Sequence, residues 1–375
     1  MKVVASGAFW DASCAPNNER TASATSALTL SDGSVLATCR LGSDREGADG
    51  HTGVFVSADG GASWELRYLS LHERVWDDWP GETRGWYVAE LSPGVLTAAV
   101  LWTDRSDPAK HWPNPETQGL LGMRVYHLMS YDGGRSWPDR RRIDLSHHRG
   151  ASSTGPVFRL ADGALAQPFE TWKDYDDPTP GAPAALLRLS LDDGATWTED
   201  VLVAKDPANR SFFWDQRLAT HPLDGRLVNM FWTHDVTAGR DLDVHISWGT
   251  PDGRSWTSPA PTGLAGQHTQ PIALGGDRLV AVYSHRGDPP GIRAVLSDDF
   301  GRTWDRRGEV VVYASEAGAE PGSGRRRAQA DYWTDMGRWQ FGHPRGAVLP
   351  SGEVLVVFYG GTGDMRSARW ARLRI

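Results

Sequence analysis

The sequence predicts an all-β fold, a six-bladed β-propeller with four-stranded antiparallel blades, and residues 1–375 are expected to form this single domain. An eight-residue phrase recurs along the chain, and a second repeat built on glycine turns alternates with it. No stretch shows an apolar 3.6-residue period of helix length. A unit repeated at wide, regular intervals is typical of propellers and solenoids. These three observations together favour the propeller.

The repeated phrase is Ser-x-Asp-x-Gly-x-Ser/Thr-Trp. Four full copies occur, at Ser57–Trp64, Ser130–Trp137, Ser190–Trp197 and Ser297–Trp304, and a fifth, weaker copy contains Gly253, Ser255 and Trp256. The aspartate can accept backbone N–H groups of its own turn, and the glycine can supply a positive φ. The tryptophan then begins the next strand with a large apolar ring to bury. The phrase therefore predicts a tight hairpin in each unit.

The second repeat is a strand, a short glycine turn and another strand. It occurs six times, at Ala27–Ala37, Val88–Leu101, Val157–Pro168, Leu218–Phe231, Pro271–Tyr283 and Ala347–Tyr359. Glycine turns between apolar, β-branched residues are strong hairpin signals. Six four-stranded units arranged radially leave only short strand edges. Lys2–Phe9 or Ser367–Ile375 is expected to supply the strand that closes the ring.

Composition and charge restrict the class of function. The net charge of −8 argues against a nucleic-acid partner, and Cys14 and Cys39 are too few for a disulfide framework. Neither an 18-residue apolar run nor a secretion signal is recognisable, so we expect a cytoplasmic protein without a membrane partner. The basic run Arg325–Arg327 is interpreted as part of a solvated loop. No cofactor is predicted.

Each propeller unit presents two segments to one face: the lead into its innermost strand and the loop after its second strand. In this chain those segments carry acids, imidazoles, arginines and tryptophans. Tryptophan faces suit a sugar ring, arginine or amide groups bind hydroxyls or a carboxylate, and a positioned carboxyl or imidazole moves protons. The predicted catalytic residues are Asp44, Asp49, Glu170, Asp215 and His343. The predicted substrate-binding residues are Arg40, Arg84, Trp214, Gln216, His234, His268, Gln270, His285, Arg286 and Arg345.

The phrase and the six-unit plan, over about residues 20–375, resemble the sialidase superfamily, whose repeated turn is called the Asp-box. Three motifs also resemble bacterial sialidase-like proteins: Phe169-Glu170, Trp214-Asp215-Gln216-Arg217 and Phe341-Gly342-His343-Pro344. The resemblance implies three arginines that hold a substrate carboxylate. It also implies an aspartate that donates a proton and a tyrosine nucleophile activated by a glutamate.

Only part of this reactive set is found in the chain. The resemblance implies its first arginine within the stretch that aligns with Ala22–Thr25, and this stretch contains no arginine. Arg20 lies three residues before the aligned position. Either Asp44 or Asp49 can take the place of the proton donor. Asp215-Gln216 approaches the position of the glutamate, and His234 follows the second strand where an arginine is implied. Arg286 matches the remaining arginine, and His343 stands at the position of the tyrosine. The carboxylate clamp is therefore incomplete, and ordinary sialic acid is not the expected substrate.

The first functional hypothesis is an exo-acting glycoside hydrolase for an oligosaccharide or glycoconjugate. Asp44 or Asp49 would be its acid, and Glu170 or Asp215 its second carboxyl.

Three alternatives stay open. A polysaccharide lyase would use His343 as base, with Arg40 or Arg286 neutralising a uronate. A glycan-binding propeller would use the same tryptophans and arginines without chemistry. A metal site would draw on His234, His268, His285 and His343, although their spacing shows no local ligand signature.

Overall fold

The structure, a computed structural model, describes residues 1–316 and 329–375. Strands dominate these residues, so the all-β prediction is confirmed. The basic run Arg325–Arg327, interpreted as a solvated loop, lies outside the described residues.

The strands follow one another in small antiparallel sheets. The chain opens with β1 (Lys2–Trp10). Unit one contains β2 (Thr21–Thr29), β3 (Val35–Gly42), β4 (His51–Ser57) and β5 (Glu65–Leu69). Unit two contains β6 (Val75–Trp76), β7 (Trp79–Ser92), β8 (Val95–Asp104), β9 (Met123–Ser130) and β10 (Asp139–Ile143). Unit three contains β11 (Ser152–Ser153), β12 (Phe158–Arg159), β13 (Leu165–Glu170), β14 (Ala185–Ser190) and β15 (Glu199–Ala204).

Three more units complete the order. Unit four contains β16 (Ser211–Thr220), β17 (Leu227–Asp235), β18 (Arg240–Asp241), β19 (His245–Gly249) and β20 (Ala260–Pro261). Unit five contains β21 (Gln267–Gly275), β22 (Arg278–His285), β23 (Gly291–Ser297) and β24 (Val310–Ala314). Unit six contains β25 (Phe341–Val348), β26 (Val354–Thr362) and β27 (Met365–Arg374). The helices are α1 (Gln329–Arg338) and two 3₁₀ turns, Asn17–Glu19 and Arg306–Gly308.

The start of the chain completes the last unit. β1 pairs antiparallel with β27, so unit six takes its outer strand from the opposite end of the sequence. Between the two sequence candidates, Lys2–Phe9 therefore supplies the closing strand, while Ser367–Ile375 overlaps the third strand of the unit. A parallel bridge between Thr21 and Arg366 also joins units six and one.

Hydrophobic clusters between neighbouring units hold the ring together. Six clusters each join two consecutive units. One packs Val54 of unit one against Trp86 of unit two, and another packs Val35 of unit one against Tyr359 of unit six. Because every unit is buried on both faces by its neighbours, the apolar surface is continuous around the axis.

The boxed turns have the predicted hydrogen bonds. Asp59 Oδ1 accepts from the Ser63 N–H at 2.9 Å and from the Ser57 hydroxyl at 2.8 Å, and Gly61 has a φ of 94°. The corresponding bonds recur in the other full copies. Ser57 pairs with Val35 at the beginning of β3, whereas Arg40 pairs with Thr52 near the end of that strand. The boxes therefore lie at the opposite end of the units from Arg40.

Helix α1 corrects the expectation that the chain contains no helix. Trp333 and Met336 of the helix, with Trp339 just beyond its end, pack against the propeller. Tertiary bonds hold it: Arg45 Nη1 donates to the Met336 carbonyl at 2.5 Å, and Arg366 Nη2 donates to the Gly337 carbonyl at 3.0 Å. Within residues 1–316 and 329–375, no helix has the length and apolar character needed to cross a membrane.

Candidate active site

Bulges in the inner strands direct side chains toward the axis. In five units the pairing register shifts between the inner strand (β2, β7, β16, β21 or β25) and the strand that follows it. In four of them the bulge holds a non-glycine residue at positive φ: Ala24 (46°), Asp215 (54°), His268 (45°) and His343 (50°). A bulge frees one residue from the ladder and re-aims its side chain. Left-handed backbone costs such residues on the order of 1 kcal/mol each, a strain that is typical of functional sites.

These four residues line one cavity of about 170 Å³ on the propeller axis. All six units and α1 contribute to its wall. Among the sequence-predicted site residues, it brings together Arg40, Arg84, Glu170, Trp214, Asp215, His268 and His343. Other lining residues that sequence reasoning did not select include Arg45, Tyr87, Trp112, Trp172, Trp232 and Trp333.

Glu170 and Asp215 form a carboxyl pair with opposite protonation. Glu170 Oε1 accepts from the Gln216 N–H at 2.7 Å. Burial, reinforced by the negative charge of Asp215, raises the pKa of Glu170 to about 8. Burial alone would also raise the pKa of Asp215, but Arg217 and His268 outweigh it and hold that pKa well below its usual value. At neutral pH one carboxyl is therefore protonated and its neighbour ionised.

Asp215 is held from two sides. His268 Nε2 lies 2.9 Å from Asp215 Oδ2, and Arg217 Nη2 lies 3.2 Å from Oδ1. Burial lowers the pKa of His268 to about 4, so the ring is neutral at pH 7 and its Nε2 carries the hydrogen that it donates. His268 Nδ1 is then an acceptor, and it is buried without a partner among the described residues.

His343 lies beside this pair. Its ring centroid is 4.5 Å from that of His268, and its Nε2 is 3.5 Å from Arg45 Nη2. Burial, together with the positive charge of Arg45 beside it, lowers the pKa of His343 well below its usual value. A neutral imidazole that can accept a proton or a hydrogen bond therefore faces the cavity.

An arginine cluster forms the opposite wall. The fully buried Glu82 binds Arg40 at 2.6 Å and Arg105 at 2.5 Å, and Arg84 lies 3.5 Å away. Burial would raise the pKa of Glu82, but these guanidiniums outweigh it and lower the pKa. Arg84 also binds Glu46 at 2.8 Å. Two glutamates, Glu46 and Glu82, thus face four arginines: Arg40, Arg45, Arg84 and Arg105. The excess positive charge favours an anionic or strongly hydrogen-bonding ligand.

Tryptophans and α1 enclose the rest of the cavity. Trp112 and Trp333 meet edge to face with centroids 5.5 Å apart, and the Arg84 guanidinium lies 4.2 Å from the Trp112 ring. Trp172 Nε1 donates to the Gln118 carbonyl at 2.9 Å, which fixes its ring. Trp112 lies in the long loop that follows β8, the second strand around the glycine turn of unit two, and Trp333 lies in α1, which precedes the inner strand β25. Both positions belong to or adjoin the segments from which the site was predicted, although neither tryptophan was selected. The sequence could have identified Arg45 as a site residue, because it directly follows the predicted residue Asp44.

Asp44 and Asp49 lie in the loop after β3 and do not line the cavity. Asp44 Oδ1 accepts from the Glu46 N–H at 2.6 Å, and Asp49 Oδ2 accepts from the Ser43 N–H at 3.0 Å. Their carboxylates shape the loop that places Arg45. The structure therefore brings neither of them to Glu170.

Three other predicted residues border a second pocket, toward the box end of the axis. Gln216 donates to the Phe169 carbonyl at 2.7 Å and accepts from Asn229 at 2.8 Å, which makes it a link between strands. Arg345 donates to Gln270 Oε1 at 3.1 Å, and its guanidinium lies 4.7 Å from the Tyr87 ring.

The remaining three predicted residues support the wall from outside. His234 Nδ1 lies 3.2 Å from Asp241 Oδ1, and His285 Nδ1 lies 2.8 Å from the Ala265 carbonyl oxygen. Arg286 packs 4.1 Å from the Trp339 ring and donates to the Phe341 carbonyl at 2.7 Å. Of the four histidines considered for a metal, only His268 and His343 share the cavity. In the described part of the chain, these four do not form a group of ligand atoms with metal-site spacing.

The fold is a β-propeller similar to that of sialidases. Residues 100–320 match the BNR repeat-like domain family, and the chain belongs to that family. No curated protein matches the sequence.

Solved structures agree on the fold. A Dyadobacter fermentans protein of unknown function is 19% identical with a TM-score of 0.74, and the match covers 100% of this chain and 99% of that one. The intramolecular trans-sialidase from Ruminococcus gnavus is 12% identical with a TM-score of 0.64, covering 100% and 98% of the two chains. The α-L-arabinanase of Penicillium chrysogenum is 13% identical with a TM-score of 0.63, also covering 100% and 98%. At these identities the likeness shows the fold alone.

Proposed function

We propose that this protein is an exo-acting glycoside hydrolase that uses Glu170 as general acid and Asp215 as its ionised partner. The observation that carries the proposal is that two neighbouring carboxyls line one cavity in environments that shift their pKa values in opposite directions. Environments that push two pKa values apart assign the acid and the base roles. Glycosidases use such a pair on either side of the scissile bond.

In this mechanism the protonated carboxyl of Glu170 donates its proton to the glycosidic oxygen as the bond to the leaving group breaks. Asp215 stays ionised and either activates a water molecule or attacks the anomeric carbon. His268 is a positioning residue, because it binds Asp215 Oδ2 and fixes the orientation of the carboxylate.

The shape of the site supports an exo-acting enzyme. Residues from all six units and from α1 surround the cavity, so it can take the end of a sugar chain more readily than an internal residue. Arg40, Arg45 and Arg84 supply one polar wall, and Trp112 and Trp172 supply aromatic surface. Ala24 occupies the bulge of β2, the inner strand of unit one, close to the position where the resemblance implies an arginine. Because that arginine is absent, the substrate is proposed to differ from ordinary sialic acid.

Two structural neighbours are consistent with a sugar substrate. The Ruminococcus gnavus enzyme was solved with oseltamivir carboxylate, and the Penicillium chrysogenum enzyme with arabinobiose. These ligands belong to those proteins, and they support the class of ligand without naming the sugar for this chain.

The test is a panel of natural oligosaccharides and aryl glycosides, assayed with the wild type, Glu170→Gln and the control Glu65→Gln. Glu65 is an exposed acid of β5 outside the cavity. Loss of a general acid lowers kcat/KM about 10²–10⁴-fold on natural sugars. The loss should be smaller on nitrophenyl glycosides, whose leaving group needs little protonation. Equal activity of Glu170→Gln and the control on every hydrolysed substrate would exclude Glu170 as the acid. Saturable binding without product in the wild type would instead indicate a glycan-binding propeller.

A polysaccharide lyase is the second candidate, favoured by the neutral imidazole of His343 next to Arg45. There His343 would remove the proton beside a uronate carboxylate, and Arg45 or Arg40 would stabilise the resulting charge. Elimination leaves an unsaturated sugar with strong ultraviolet absorbance, whereas hydrolysis does not. A uronate panel followed by absorbance separates the two reactions directly.

A further inference from the structure

A cluster of His147, His148 and Asp200 lies away from the axial cavity, between units two and three. His147 Nε2 is 2.7 Å from Asp200 Oδ2, and His148 Nε2 is 2.8 Å from the same oxygen. Both histidines belong to the segment between β10 and β11, and Asp200 lies on β15. In the described residues it is the one group of three such ligands with metal-site spacing.

We propose that His147, His148 and Asp200 bind a divalent transition-metal ion of the Zn²⁺ class. Two imidazole nitrogens and one carboxylate oxygen suit zinc, cobalt or nickel, whereas calcium and magnesium prefer sites made of oxygens. Three protein ligands leave at least one coordination position for water.

The three ligand atoms converge on one point. His147 Nε2 and His148 Nε2 both lie within hydrogen-bond distance of the same oxygen, Asp200 Oδ2. An ion at that point would be bound by the lone pairs of both imidazoles and of the carboxylate, and it would take the place of the two N–H hydrogens.

The surroundings fit a metal ligand set. Arg188 Nη1 binds the other oxygen of Asp200, Oδ1, at 2.8 Å, so it orients the carboxylate and leaves Oδ2 for the ion. The His148 ring packs 5.1 Å from Phe169, which limits its rotation. The His147 side chain is 46% exposed, so an ion can enter from solvent. The positive charge of Arg188 opposes a cation, and we therefore expect exchangeable binding.

A bound ion would fasten the segment that leads to the cavity wall. Directly after His148, the Arg149 carbonyl accepts from the Trp172 N–H at 3.1 Å, and Ser152 pairs with Glu170. The ion would tie this segment to the outer strand of unit three. Its expected effect is therefore on stability, whether or not the cavity performs the proposed hydrolysis.

Calorimetric titration of untagged, chelator-treated protein with ZnCl₂ tests the proposal. We expect saturable one-to-one binding, weakened at least about tenfold in both His147→Ala and Asp200→Asn. His72→Ala, which removes an exposed histidine outside the cluster, is the matched control and should bind like the wild type. Zinc should raise the Tm of the wild type and of the control, but not that of the cluster variants. CaCl₂ should not compete.

Circular dichroism of the zinc-free variants checks that each is folded, and His147→Ala is the milder change because the side chain is half exposed. No saturable zinc binding by the wild type would overturn the proposal. Binding by both cluster variants with wild-type affinity would overturn it equally.

Discussion

The boxed turns and the axial cavity use the same side-chain chemistry in opposite environments. In the turns, hydrogen bonds from the Ser63 and Ser136 hydroxyls and other turn donors lower the pKa of Asp59 and of Asp132 to about 2. In the cavity, burial and a neighbouring carboxylate raise the pKa of Glu170 to about 8. A carboxyl with several donors stabilises a turn as an anion, whereas a desolvated carboxyl keeps its proton. Local sequence therefore controls the first kind of acid and tertiary packing the second.

The largest expected difference between the two regions is in activity. Asp215→Asn should lower kcat/KM about 10²–10⁴-fold, because the cavity loses its ionised carboxylate. The same chemical change in a boxed turn, Asp132→Asn, should leave kcat/KM unchanged. Steady-state kinetics on any substrate that the wild type hydrolyses measure both. Comparable losses in the two variants, with both folded, would remove the functional contrast between the regions.

The next effect is on the pH dependence of stability. Glu170 has an ordinary pKa of 4.5 and a folded pKa of about 8, so between these values the folded state holds a proton that the unfolded state has released. The free energy of unfolding therefore falls as pH rises through this window. Glu170→Gln removes this dependence, and its stability relative to the wild type should increase from pH 4.5 to pH 8. Denaturant unfolding at several pH values measures it, and a difference that stays constant across the window would contradict a buried neutral Glu170.

The smallest effect is in the turns. Asp132→Ala should lower the free energy of unfolding by about 1 kcal/mol at neutral pH, because bonds to the Ser136 N–H and hydroxyl are lost at an exposed site. The folded pKa of about 2 lies below the ordinary value of 3.8, so this contribution is present above pH 3.8 and is lost as pH falls through 2. Chemical unfolding at pH 7 and pH 2 checks both statements. A deficit of the same size at pH 2 would show that charge plays no part.

The strands and the boxed turns could be predicted because their signals are local. An Asp that accepts bonds from residues two positions before it and four positions after it, as Asp59 does from Ser57 and Ser63, needs no partner from elsewhere in the chain. Glu170, Asp215 and His343 could be expected to lie close together, and they do line one cavity, because each leads into or follows a strand at the axial end of its unit. Asp44 and Asp49 occupy an equally suitable place in the sequence, yet their carboxylates turn back to their own loop.

The repeat, the order of the strands and the end of the ring where polar groups collect all follow from the sequence alone. Which of those groups share a cavity depends on contacts between distant parts of the chain. The bulges re-aim the inner-strand side chains, the loop after β3 places Arg45, and hydrogen bonds from Arg45 and Arg366 hold α1. The tertiary structure also decides the protonation of those groups. Burial and the distances between charges from different units set the pKa of Glu170 and Asp215, and no single stretch of the chain contains those distances.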